Sequence, residues 1–174
     1  MIQEGQTAPD FVAPAVDEDR SVELALFELV ERNDAVALLF APCAFVPEPT
    51  AEWIAVETAG WPASDGLATV GLTGDSLYSA FAYADRYGFS FPIVSDFHGG
   101  IADRYGLLAD EWDGHGNVPR RGVVIVDGDW TVRAVETVED AHDRAQPGPA
   151  AHAADALQSC GVDLKRPDVD YDVV

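Results

Sequence analysis

The sequence has little positive charge, little sulfur and no long apolar stretch. Ten of its 174 residues are lysine or arginine, Lys165 being the only lysine, against 31 aspartates and glutamates, for a net charge of −21. A surface of that sign repels nucleic acid phosphates and anionic lipid, so neither partner is expected. The two cysteines, Cys43 and Cys160, are too few for a disulfide scaffold. The longest apolar run, Ala35 to Pro47, is thirteen residues, short of the roughly 18–20 that cross a bilayer. The opening Met1-Ile2-Gln3-Glu4-Gly5 lacks the basic and apolar regions of a signal peptide, which points to the cytoplasm. The histidines, His98, His115, His142 and His152, form no i, i+4 pair. There is no CxxC, HExxH or G-x-S-x-G motif, and Gly99-Gly100 lacks the lysine of a phosphate loop. Asp113-Gly114-His115-Gly116 is only a thin metal signal. No metal or other cofactor is expected.

What is present is a core. Apolar residues make up 48 % of the chain, which argues against disorder. No repeat, low-complexity tract or linker divides it, so residues 1–160 read as one domain. From Gly161 the sequence is acidic and reads as a loose tail, 161–174. The carboxylates are scattered rather than clustered. They describe a solvated exterior suited to a high-salt cytoplasm, where salt screens self-repulsion.

Pattern and punctuation give the elements. Asp10–Ala15, flanked by proline, reads as an edge strand or extended arm. Ser21 is placed to cap a helix reaching Arg32, with Val22, Leu26, Leu29 and Val30 on one side. Val36–Phe40 and Leu67–Leu72 read as buried parallel strands. Pro42, Pro47 and Pro49 make Ala41–Pro49 a loop, after which Thr50 caps a helix over Ala51–Thr58. Asp75 or Ser76 caps an amphipathic helix ending at Gly88. Phe91–Val94 is a short strand, Gly100–Tyr105 a short helix, and Asp110–Pro119 a polar loop. Val123–Val126 and Trp130–Val138 form a hairpin around Asp127-Gly128-Asp129, and Pro149 starts a last helix. The order strand-helix-strand, helix-strand-helix, hairpin, helix predicts an α/β fold of thioredoxin type, a central mixed sheet flanked by helices.

Five stretches, in order, resemble the peroxiredoxins of the AhpC/TSA (redoxin) group. They are Gly5-Gln6-Thr7-Ala8-Pro9-Asp10-Phe11, Leu39-Phe40-Ala41-Pro42, Tyr87 through Asp96 (YGFSFPIVSD), Ala102-Asp103-Arg104-Tyr105-Gly106, and Arg121 through Asp127 (RGVVIVD). The resemblance covers about residues 5–140. It implies an antioxidant thiol peroxidase. In that chemistry a cysteine at a helix N-terminus is held as thiolate, attacks a peroxide O–O bond and becomes a sulfenic acid, aided by a threonine and an arginine. The motif is P-x-x-x-T-x-x-C. Here Pro42 matches its proline, Val46 stands at the threonine position and Pro49 at the cysteine position. Glu52 matches the acidic residue after it, and Arg121 the arginine. The frame of the site is kept, while the hydroxyl and the nucleophile are missing.

The remaining candidates each read two ways. Cys43 is either a buried small hydrophobe at a strand end or a substitute nucleophile served by Arg121. Cys160 is a passive thiol or a resolving one. Arg121, heading a core strand, needs an acidic partner, for which Glu52 is the candidate. It is then either a structural ion pair or an anion-binding group. Trp53 and Phe45 read as core or subunit interface rather than substrate contacts. The expectation is a catalytically impaired redoxin-fold binding or assembly module, homodimeric, with a peroxide or small anion as candidate ligand. The alternative is an active thiol-dependent peroxide reductase using Cys43 with Arg121.

Overall fold

The computed structural model describes residues 1–174. Its centre is β3 (Ala35–Ala41), all seven residues of which are buried. The strand is continuously apolar because both its faces are covered. Ala35, Ala37 and Leu39 face one apolar cluster, and Val36, Leu38 and Phe40 the other. This is the two-residue alternation of a pleated strand. Beside β3 run β4 (Leu67–Thr73), parallel, and β8 (Gly122–Asp127), antiparallel. With β1 (Val12–Asp17), β2 (Arg20–Ala25), β5 (Ile93–Ser95) and β9 (Val132–Thr137) they form a seven-stranded mixed sheet in the order β2-β1-β5-β4-β3-β8-β9. The helices are α1 (Leu26–Arg32), α2 (Pro47–Thr58), α3 (Leu77–Tyr87), α4 (Gly100–Arg104) and α5 (Pro149–Ser159). This is the α/β sheet flanked by helices that the element order predicts.

Helix α3 is legible in the sequence at both ends. The Ser76 hydroxyl accepts from the Ser79 N–H, and Gly88 closes the helix at φ 68°, a left-handed conformation that glycine adopts at no steric cost. Trp53 of α2 lies over Gly71 of β4. A Cβ there would meet the indole at 2.6 Å, so the glycine makes room for the ring, which is core as expected.

Five local readings are corrected. The segment after Ser21 is strand β2, not helix. Glu18 at φ 55° turns the chain, and Val22 and Leu24 alternate against β1 before the helical period begins at Leu26. β1 is not an edge, because β2 and β5 flank it. Its pairing with β5 is confined to Ala15 and Val16, leaving Pro14 outside that ladder. Helix α2 starts at Pro47, not after Thr50. Prolines are tolerated at 47 and 49 because first-turn N–H groups have no intrahelical acceptor. Thr50 is therefore inside the helix, and its hydroxyl bonds the Val46 carbonyl at 2.6 Å. The polar stretch Asp110–Pro119 holds a hairpin, β6 (Leu108–Trp112) and β7 (His115–Pro119). Asp113 (φ 48°) and Gly114 (φ 77°) make its turn, an Asp-Gly signal masked by the exposed strands around it.

The fifth correction concerns residues 161–174. They are acidic but not loose, for Val162, Val169 and Tyr171 are buried. The Trp61 indole donates to the Lys165 carbonyl at 2.9 Å, Gln146 to that of Val169 at 2.8 Å, and Arg166 to that of Ala151 at 2.8 Å. Val169 and Tyr171 pack on Ala51 and Ala55 of α2. The apolar residues that hold the segment are spaced too widely among aspartates to show a period. No helix is long and apolar enough to cross a membrane.

Candidate functional site

β3 delivers the chain to Pro42, whose carbonyl accepts from the Gly74 N–H at 3.1 Å. Residues 43–46 then lead into α2. Asp75, the unused cap candidate of α3, instead accepts the Ala44 N–H at 2.5 Å and fixes this loop. Phe45 sits at φ 65°, part exposed, with its ring 5.1 Å from that of Tyr83. Val46 is the N-cap residue of α2 and has no side chain to offer the helix end. Pro49 is the third helical residue and buried.

Glu48, the second helical residue, is the one acidic side chain in the first turn. His142 Nδ1 lies 3.0 Å from its carboxylate and Arg144 Nε 3.8 Å. Burial alone would raise its pKa, but the His142 hydrogen bond, with Arg144, lowers it below the usual carboxylate value. The positive end of the helix thus faces a carboxylate of the chain itself. Sequence reasoning missed Glu48, His142 and Arg144, since nothing in their spacing links residues so far apart.

One turn further along α2 is Glu52, 2 % exposed, and against it lies Arg121, 1 % exposed. Arg121 Nε donates to Glu52 Oε2 at 3.0 Å. Nη1 donates to the carbonyls of Ala141 (3.1 Å) and Asp143 (2.7 Å), and Nη2 to the Tyr171 hydroxyl at 2.9 Å. These bonds use four of the guanidinium's five N–H groups. Tyr171 passes its own proton to the Ala145 carbonyl at 2.8 Å. Burial would lower the arginine's pKa, yet Glu52 and Tyr171 raise it above its ordinary value. The other oxygen of Glu52 accepts the Ala150 N–H at 2.7 Å, at the start of α5. The expected acidic partner is therefore Glu52, and the arginine is closed in by three further groups that the sequence does not announce.

Cys43 is half-buried and free. Burial, followed by the carboxylates of Asp75 and Asp113, pushes its thiol up to about 11. It lies outside α2, and no arginine is among the charges acting on it. Cys160 caps the C-terminus of α5 and borders a shallow hollow with Asn33 and Asp34, where β3 begins. Cys43 follows the end of β3. A seven-residue strand spans roughly 20 Å, so the thiols sit far beyond disulfide reach. Burial raises the Cys160 pKa as well.

A cavity of about 390 Å³ opens beside Arg121. Pro42, Trp112, Arg120, Val138 and Glu139 are among the residues lining it, and Cys43 is not. The Trp112 indole donates to Asp140 at 3.2 Å, and its ring lies 4.9 Å from that of His142. His115 meets the Asp113 carbonyl at 3.0 Å.

Comparison with known proteins agrees with this architecture. The AhpC/TSA family matches residues 4–135. No curated protein matches the chain. Among solved structures, the peroxidoxin BcpB of Mycobacterium tuberculosis shares 23 % identity at a TM-score of 0.73, over 92 % of this chain and 97 % of that one. The reduced 2-Cys peroxiredoxin of Plasmodium vivax shares 23 % at 0.71, over 91 % and 94 %. AhpC of Enterococcus faecalis shares 17 % at 0.72, over 92 % and 93 %. At these identities the structures establish the fold, and the family is established by the match over some three quarters of the chain: it belongs to the AhpC/TSA family.

Proposed function

We propose that this chain is a redoxin-fold binding or assembly module without thiol peroxidase chemistry. The observation that carries the reading is the start of α2. Val46 and Pro49 stand where the resemblance calls for threonine and cysteine, and the helix holds no thiol. Valine has no hydroxyl, and proline has neither a nucleophile nor an N–H. The surroundings of Cys43 favour its neutral form, the reverse of what a thiolate nucleophile requires. Four of the five donors of Arg121 are directed at the protein's own oxygens.

The test mixes reduced protein with hydrogen peroxide and a sulfenic-acid trap, and compares Cys43→Ser. Labelling no faster than that of an ordinary free thiol is expected. Fast labelling that depends on Cys43 overturns the reading in favour of a peroxide reductase built on Cys43 and Arg121. The assembly half of the proposal is a homodimer, supported by the exposed aromatics Phe45 and Phe97. Sedimentation showing only monomer at micromolar concentration rejects it.

The same proposal places the protein in a high-salt cytoplasm, supported by its charge of −21. Self-repulsion of that size is relieved as the screening length shortens to about 3 Å at molar salt. The melting temperature is expected to rise between low and molar KCl, and an unchanged value discards this part.

A further inference from the structure

The cavity beside Arg121 has a charge pattern that the proposed function does not use. From β6 come Asp110, Glu111 and Trp112, from the junction of β7 and β8 Arg120, and from the segment after β9 Glu139. Its 390 Å³ falls in the range of small-molecule sites. Three acidic residues and two arginines line one hollow, and of these five only Arg121 forms an ion pair. Half of the chain's ten basic residues, Arg32, Arg121, Arg133, Arg144 and Arg166, do pair with carboxylates. Arg120 does not, although three carboxylates share its cavity.

We propose that this cavity binds a small zwitterion, a molecule of amino-acid size carrying one ammonium and one carboxylate. The carboxylate meets Arg120, the exposed basic side chain there, since Arg121 is buried and gives four of its five N–H groups to its own network. The ammonium lies among Asp110, Glu111 and Glu139, against the Trp112 ring. An aromatic face attracts such a cation, most strongly where water is excluded. A simple anion would meet three carboxylates. A simple cation would leave Arg120 unused, and phosphate-rich ligands are repelled. Charges of both signs that line one hollow without pairing with each other are complementary to a ligand that carries both.

The walls are held in place before any ligand arrives. Trp112 is fixed by its 3.2 Å bond to Asp140 and by the His142 ring. Asp140 is held in turn by the His142 N–H at 3.0 Å. The Arg120 N–H donates to the Leu107 carbonyl at 2.6 Å, which ties the junction of β7 and β8 to the start of the hairpin. A site fixed in advance spends less of its binding energy on ordering side chains. The proposal needs no statement about the nucleophile and stands whether or not Cys43 reacts with peroxide.

The experiment follows the Trp112 indole N–H and the Arg120 amide of the full chain by NMR, the indole signal being identified with Trp112→Phe. Glycine betaine, L-alanine, choline and acetate are titrated at matched ionic strength. Saturable shifts in the millimolar range are expected with the zwitterions, with choline about tenfold weaker and no saturation with acetate. The stronger of betaine and alanine shows whether a quaternary or a primary ammonium fits. Arg120→Gln, an exposed position where folding is not at stake, is expected to weaken the zwitterion about tenfold and leave choline unchanged. Choline binding as tightly as betaine, with no effect of Arg120→Gln, makes this a cation site and overturns the proposal. So does the absence of any saturable shift.

Discussion

Pro49→Cys combined with Val46→Thr, in a Cys43→Ser background, is expected to form sulfenic acid about a hundredfold faster than the wild-type chain. With its thiol at about 11, Cys43 is roughly 10⁻⁴ thiolate at neutral pH. A cysteine at position 49 would sit in the first turn of α2, where unpaired N–H groups and the helix dipole favour an anion. Such sites bring a thiol to a pKa near about 7, where half is thiolate. That is a gain of more than about a thousandfold in reactive form. A less basic thiolate is a weaker nucleophile, and four units at a slope of about 0.4–0.5 return nearly two powers of ten. About a hundredfold remains. The substitution removes no helical hydrogen bond, because the third residue's N–H has no intrahelical acceptor. Glu48 is the opposing charge, and His142 and Arg144 already hold it. A doubly substituted chain that folds and reacts no faster than wild type would place the block elsewhere. The closure of Arg121 by Tyr171 and the Ala141 and Asp143 carbonyls would then be the cause, rather than the missing cysteine.

The largest effect on stability is expected from Glu52→Ala. Arg121 and Glu52 are almost fully buried, and removing one partner strands the other charge in the interior. That costs about 3–5 kcal/mol, or roughly 10 °C in melting temperature for a chain of this size. The Ala150 N–H loses its acceptor in the same step, which loosens the start of α5. Glu52→Gln keeps that acceptor and is expected to cost less. Denaturant unfolding of the two variants separates the contributions. A Glu52→Ala chain within about 1 kcal/mol of wild type would show that the arginine does not depend on this carboxylate, against the pairwise reading.

The parts of this structure legible in the sequence are those set by local pattern. The apolar run Val36–Phe40 gives the central strand, Ser76 and Gly88 bracket α3, and the Asp-Gly turn after Val126 gives the β8–β9 hairpin. The pairing of Arg121 with Glu52 is also legible, because a basic residue heading a core strand demands an acid. The rest depends on where the backbone goes. Ser21 looks like a cap because, of Val22, Leu26, Leu29 and Val30, the first falls in register with the true helical period of the others by coincidence. The turn at Glu18 makes the first of them part of a strand. Nothing in Ala141 or Asp143 marks a carbonyl that will face a guanidinium. Tyr171, one aromatic residue among aspartates, looks solvated until the fold places it on α2.

The family match ends at residue 135, yet three of the four groups that hold Arg121 lie beyond it, at Ala141, Asp143 and Tyr171. The matched region therefore carries a cation whose charge is balanced by Glu52, while its other hydrogen-bond acceptors come from later sequence. A fragment cut at the edge of the match would not be a smaller working copy of the domain. It would keep a buried charge with one partner in place of four, and it would lack α5. Residues 136–174 complete the enclosure of that charge and supply α5.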